Sequence, residues 1–296
     1  MTKITILLAT LALTSAFAPA AHASDRSAAR TGAAWLSTAV KPGADGMAAD
    51  AVVALRAAGR LPSAEAARRA RALRAGANGY ARTAGATGKT ILALAAARSG
   101  SARCAGNVDL LTRLQSYGRA GRYGSTIFDQ TLAMLGAHAL HAGPSQRAIT
   151  VLLKARGAGG WNFNMTRSGG RADDVTSTAM AILAARAAGV SAGNGTLRAG
   201  LRWLRAQRTA AGGFALGRRD RNEANSTALA IEAAAAMGSR DTRATHALAS
   251  LQRPGGAFQF TRNDAGSRVL ATNDAVVALS GHHLPVTTLH RTPSRC

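Results

Sequence analysis

Six segments of this chain repeat one plan, and that repetition restricts the fold more than any other feature of the sequence. Each segment reads as a helix, a glycine turn with a large apolar residue, a polar stretch and an Ala-rich helix. The turn residues are Met47 after Asp45-Gly46, Tyr80 after Asn78-Gly79, and Tyr123 after Gly121-Arg122. Trp161 follows Gly159-Gly160, Phe214 follows Gly212-Gly213, and Phe258 follows Gly255-Gly256-Ala257. Of the eleven aromatic residues beyond residue 23, seven are at or within two residues of these turns, which a random scatter would not produce. The second helices align as well. Taking Ala51, Thr90, Thr131, Thr178, Thr227 and Ala275 as equivalent gives spacings of 39, 41, 47, 49 and 48 residues.

Each second helix is read as opening with Asp, Asn, Ser or Thr, the residues whose side chains cap free backbone N–H groups. Most end near a glycine, among them Gly59, Gly189 and Gly281, which suits the left-handed closing turn. Their bodies are apolar nearly all round, the profile of a helix buried on several sides. The first helices are amphipathic: Leu197, Leu201 and Leu204 recur at helical spacing with Arg198, Arg202 and Arg205 between them. This pattern predicts an all-α fold of about twelve helices in two layers, with the first helix of each pair outside. A repeat that cannot bury its own face stacks on its neighbours. The first and last repeats are as apolar as the middle ones, which favours closure into a single α6/α6 toroid over an open tetratricopeptide-like or HEAT-like array.

Residues 1–23 read as a secretory signal peptide: Lys3, an uncharged apolar run over Ile4–Phe17, and the small-x-small site Ala21-His22-Ala23. The expected organisation is therefore a signal at 1–23, a toroid domain at 24–285 and a tail at 286–296, in an exported, extracellular and monomeric protein. Beyond the N-terminus no apolar run reaches the roughly 18 residues of a membrane span, so the mature chain is expected to have none. Export brings oxidising conditions, in which Cys104 and Cys296 either pair or remain two free thiols. The net charge of +23 rests mostly on arginine, but no dense block exceeds Arg68-Arg69-Ala70-Arg71, and no nucleic-acid motif is present. No nucleic-acid partner is expected.

Arg198-Ala199, Trp203-Leu204, Gln207 and Gly212-Gly213-Phe214 resemble one copy of the repeat found in terpenoid cyclases and protein prenyltransferases, the α/α-toroid superfamily. Leu251-Gln252 with Gly255-Gly256-Ala257-Phe258 resembles a shorter copy, Lys154 to Gly160-Trp161 one without its Gln, and Leu114-Gln115 with Gly121-Arg122-Tyr123 a degenerate one. The resemblance covers about residues 33–285 and implies the toroid fold. It also implies two chemistries. Proton-initiated cyclisation in that superfamily uses Asp-x-Asp-Asp-Thr, and the matching stretch here is Arg171-Ala172-Asp173-Asp174-Val175. Asp173 would take the acid position, with Asp174 beside it, although the first Asp is replaced by Arg171 and the Thr by Val175. Zinc-dependent prenylation needs Asp, Cys and His around one metal, but Cys104 has no Asp two residues ahead, and His138 with His141 does not make a site. No metal and no other cofactor is expected. Glycoside hydrolysis, a third chemistry found on such barrels, needs paired carboxylates across a cleft and has little to draw on among 14 acids.

A closed toroid would gather the starts of its inner helices at one mouth. Asp50, Asp129, Asp173, Asp174, Asn225, Asn273 and Asp274 would converge there, with Thr90, Thr131, Thr178 and Thr227 just inside. An apolar funnel with a polar rim is how small-molecule sites are commonly built, whereas each of these residues taken singly is explained by capping its own helix. The leading expectation is non-catalytic binding of a small apolar or amphipathic ligand at this mouth. The alternatives are a terpene-cyclase-like enzyme using Asp173 as proton donor, and a scaffold for an acidic partner.

Overall fold

The computed structural model describes residues 20–167, 173–216, 221–286 and 296. Among them lie twelve helices: α1 (Ala20–Ala39), α2 (Gly46–Ala57), α3 (Ser63–Tyr80), α4 (Ala84–Ala97), α5 (Leu110–Ser116), α6 (Ile127–Ala139), α7 (Gln146–Lys154), α8 (Val175–Ala187), α9 (Gly195–Ala206), α10 (Ala224–Ala236), α11 (Thr242–Ala249) and α12 (Arg268–Leu279). The only strands among the described residues, β1 (Cys104–Ala105) and β2 (Val108–Asp109), form a short hairpin before α5. Residues 1–19 lie outside the described part, and α1 runs through Ala23.

The even-numbered helices form the inner layer. Each packs on the next, and α12 packs on α2, so the ring is closed and the fold is an α6/α6 toroid. Each odd-numbered helix lies outside, over the groove between two consecutive inner helices; α1 covers the seam between α12 and α2. The Ala-rich composition explains the inner layer, because small side chains let helix axes approach on several sides at once. In α8 nearly every residue from Val175 to Ala185 is buried. In α9, Leu197, Leu201 and Leu204 turn inward while Arg198, Arg202 and Arg205 face outward. The closest approach is between α4 and α6, where a Cβ on Gly88 would sit 2.1 Å from the Leu132 carbonyl oxygen and one on Gly136 would sit 2.8 Å from Gly88 Cα.

One device recurs in the later repeats. A tight turn closes through Gly157 N–H to Gly160 O (2.8 Å), Thr209 N–H to Gly213 O (3.0 Å) and Arg253 N–H to Ala257 O (2.9 Å). The aromatic residue that follows is pinned by a side chain near the start of the next inner helix. Trp161 N–H donates to Thr178 Oγ1 (3.0 Å), Phe214 N–H to Thr227 Oγ1 (3.0 Å), Phe258 N–H to Thr272 Oγ1 (2.9 Å) and Tyr123 N–H to Gln130 Oε1 (2.9 Å). This corrects the repeat register: Gln130 and Thr272, not Thr131 and Ala275, are equivalent to Thr178 and Thr227. The first two repeats also differ from the expected plan. Asn78-Gly79-Tyr80 ends α3 rather than forming a turn, and Met47 lies in the first turn of α2. At the seam, Gln252 Nε2 donates to Ala28 O (2.9 Å), and Gly256, at φ 98°, faces Thr31 O where a Cβ would come within 2.5 Å. Cys104 and Cys296 are joined by a disulfide, with their Cα atoms 5.4 Å apart.

Candidate functional site

Closing the ring turns one face of each inner helix toward a common axis. Residues three apart on a helix share a face, and the pairs Asp50/Val53, Lys89/Leu92 and Leu229/Glu232, with Asn273, Asp274 and Val277, line an axial cavity of about 40 Å³ together with Leu132 and Leu284. Leu284 belongs to the segment after α12. Larger hollows of about 260 Å³ (Arg26, Arg240, His282) and about 550 Å³ (Asn222, Thr261, Arg262) lie elsewhere. The axial cavity is the candidate because titratable groups from four inner helices converge on it.

Those groups form one cluster. Lys89 Nζ donates to Asp50 Oδ2 at 2.7 Å. Burial opposes the Lys89 ammonium, but Asp50, Tyr80 and Asp274 together hold it above the ordinary lysine value. Burial likewise pushes the Asp50 carboxyl up, and Lys89 partly offsets this. The short contact favours the ionised pair. Asn225 Nδ2 donates to Asp274 Oδ2 at 2.6 Å. Burial and the charge of Asp50 nevertheless push Asp274 up to about 7, against the opposing pull of Asn225 and Lys89. Glu232, 1% exposed, accepts from Leu284 N–H at 3.0 Å and is raised well above the usual carboxylate range by burial, with Asp274 adding to it. Asn273 Nδ2 donates to Met47 O at 3.3 Å, which leaves its buried Oδ1 without a partner.

No family model and no curated protein matches the sequence. Solved structures do match the fold. A variant of the type II terpene cyclase MstE from Scytonema, in complex with geranylgeranyl dihydroxybenzoate (substrate), superposes with a TM-score of 0.62 at 12% identity, covering 88% of this chain and 97% of that one. The apo form of MstE gives a TM-score of 0.59 at 13% identity, covering 88% and 99%. The chain has a terpenoid-cyclase-like toroid fold.

Within this toroid the residues singled out from sequence divide into two groups. Asp50, Asn273 and Asp274 line the cavity, and Asn225 reaches it through Asp274. They do so because α2 begins at Gly46 and α12 at Arg268, about a turn earlier than their polar residues suggested, with Asp45 and Ser267 as the actual caps. Asp50 and Asp274 are thus helix-interior residues facing the axis. The second group is not among the cavity-lining residues. Asp129 accepts from Gly85 N–H (3.1 Å) and Thr126 Oγ1 (2.9 Å), tying α6 to α4. Thr131 donates back to Ile127 O (2.7 Å), and Thr178 pins Trp161. Asp174 caps α8 by accepting from Ser177 N–H (2.7 Å). Asp173 Oδ2 accepts from Gly159 and Gly160 N–H (3.2 and 2.8 Å), holding the turn against the start of α8, while its Oδ1 is buried without a partner. Arg171 lies outside the described residues. Sequence reasoning missed Lys89, Glu232 and Leu284.

Proposed function

We propose that this protein binds a small apolar or amphipathic molecule on the toroid axis, without chemical turnover, as an exported monomer. The observation that carries this reading is the axial cavity, where apolar side chains surround the Asp50–Lys89–Asp274 cluster. A water needs about 15 Å³ of such space, so the cavity as it stands accommodates a polar head and the carbons beside it. A longer tail requires Leu284, the lining residue supplied by the chain after the ring, to move aside. The similarity to a cyclase solved in complex with geranylgeranyl dihydroxybenzoate supports a bound molecule of this class. The Cys104–Cys296 bridge and the apolar run before Ala23 support export.

The test is native mass spectrometry of residues 24–296 purified from the source's own culture medium, with the mass compared before and after denaturation. A molecule that leaves on denaturation is the expected result. As a second readout, N-phenyl-1-naphthylamine should gain fluorescence with the wild type and much less with Val277→Phe, which fills the cavity. A clean apo mass together with probe fluorescence unchanged by Val277→Phe would overturn the reading.

One observation favours a second reading, proton-initiated cyclisation. A carboxyl poised near neutrality beside apolar side chains is a competent acid, and Asp274 fits that description while Asp173 does not line the cavity. On this reading, turnover of a polyprenyl substrate is abolished by Asp274→Asn and survives Asp173→Asn.

A further inference from the structure

The axial cavity holds three carboxyl groups and one ammonium. Lys89 is committed to Asp50 at 2.7 Å. Among the described residues, Asp274 and Glu232 have only neutral hydrogen-bond donors, the Asn225 amide and the Leu284 N–H. Asn273 adds an independent sign. It is 1% exposed, its amide orientation is fixed by the bond to Met47 O, and its Oδ1 is buried and unpartnered. The polar atoms left over around this cavity are therefore oxygens that accept, and the missing charge is positive.

We propose that the polar end of the bound molecule is an ammonium, an amine on an apolar body, seated against Asp274, Glu232 and the Oδ1 of Asn273. This rests on the reading that the axial cavity is a ligand site, and specifies what that site recognises. Unpaired carboxylates in a low-dielectric interior are costly. Without a cation, protons make up the difference, as the raised values of Asp274 and Glu232 show. An ammonium replaces such a proton and brings several N–H donors to the free oxygens. A carboxylate or phosphate head would add a further negative charge. A hydroxyl would satisfy Asn273 but leave the charge unanswered. The titratable groups facing Asp274 are Asp50 on α2, Lys89 on α4 and Glu232 on α10, with Tyr80 of α3 behind Lys89; α1 and α11, packed on the other side of α12, contribute none.

The experiment displaces N-phenyl-1-naphthylamine from the mature chain with octylamine or octanol and follows proton release by calorimetry in buffers of different ionisation heat. The large net positive charge of the chain repels cations from the surface, so amine binding reports on the cavity. Octylamine is expected to bind at least about tenfold more tightly than octanol at about pH 8 and to release protons near pH 6. Its affinity should fall by up to about tenfold per pH unit below 7, following Asp274. Asp274→Asn, which preserves shape, should bring octylamine down toward octanol. Octanol binding as tightly as octylamine, or amine binding without proton release, would overturn the ammonium assignment and leave the cavity reading standing. Failure of both ligands and of the probe would overturn the cavity reading itself.

Discussion

Asp274 is the residue where opposing forces nearly balance. Burial and the neighbouring Asp50 charge disfavour its anion, while Asn225 and Lys89 favour it, and the carboxyl comes to rest at about 7 against 3.8 for an ordinary aspartate. Between those values the folded state holds a proton that the unfolded chain has released. The contribution to stability is therefore complete below about pH 4 and declines as pH rises to about 7, by at most roughly 4 kcal/mol and less to the extent that cavity solvent screens the charge. Thermal melts should show the wild type losing stability between about pH 4 and 7, with Asp274→Asn flattening that loss and being the more stable protein at pH 8. A variant with the wild-type profile would count against the raised value. Asp274 also shows what was legible in sequence. Polar residues at the heads of apolar runs mark Asp50, Asn225, Asn273 and Asp274, which the fold brings to the axial cavity, but the same signal marks Asp129, Asp173 and Asp174, which organise turns and helix ends. The two kinds separate only when the helix start is known to within a turn. Lys89 and Glu232 gave no such signal. Each sits inside a helix that is apolar all round, where no periodicity distinguishes the face toward the axis from the faces toward neighbouring helices.

Packing of whole helices depends on where side chains are missing. Gly88 and Gly136 bring α4 and α6 into backbone contact, and a Cβ at Gly88 has no room beside the Leu132 carbonyl. Gly79 in α3 meets nothing within 4 Å. Gly88→Ala should therefore destabilise by about 1–3 kcal/mol through forced separation of the helices, lowering the melting temperature by several degrees. Gly79→Ala should be neutral or raise stability by up to about 1 kcal/mol, because alanine restricts the unfolded chain and favours the helix. Equal effects at both positions would show that the α4–α6 contact is looser than described. The two layers and the aromatic turns of the later repeats could be read from the glycine and alanine pattern, since turns and close contacts each demand particular residues, whereas at Met47 and Tyr80 the same glycine signal falls inside a helix. The α4–α6 contact could not, because the glycines responsible are indistinguishable in sequence from those that end helices.

At the scale of the molecule, closure changes how the repeats share stability. In an open array the end repeats have one neighbour each and unfold first. Here α12 packs on α2, α1 covers their seam, and Gln252 bonds to Ala28 O across it. The disulfide adds a constraint across 192 residues of sequence, so Cys296→Ser should cost about 2–5 kcal/mol, read as a lower denaturation midpoint. The ring itself does not depend on that bridge, because the α1 seam joins the first and last repeats through backbone packing. Hydrogen–deuterium exchange on the Cys296→Ser variant separates the two contributions. With the seam intact, amides in α2 and α12 should exchange as slowly as those in α6 and α8, since each inner helix has two inner neighbours. Gln252→Ala and Gly256→Ala, the latter forcing Thr31 away, should then accelerate exchange in α1, α2 and α12 before the opposite side of the ring responds. Fast exchange in α12 of the unsubstituted chain would instead mean that the ring opens at its seam in solution. The axial cavity, which draws Asp50 from the first repeat and Asp274 from the last, would open with it.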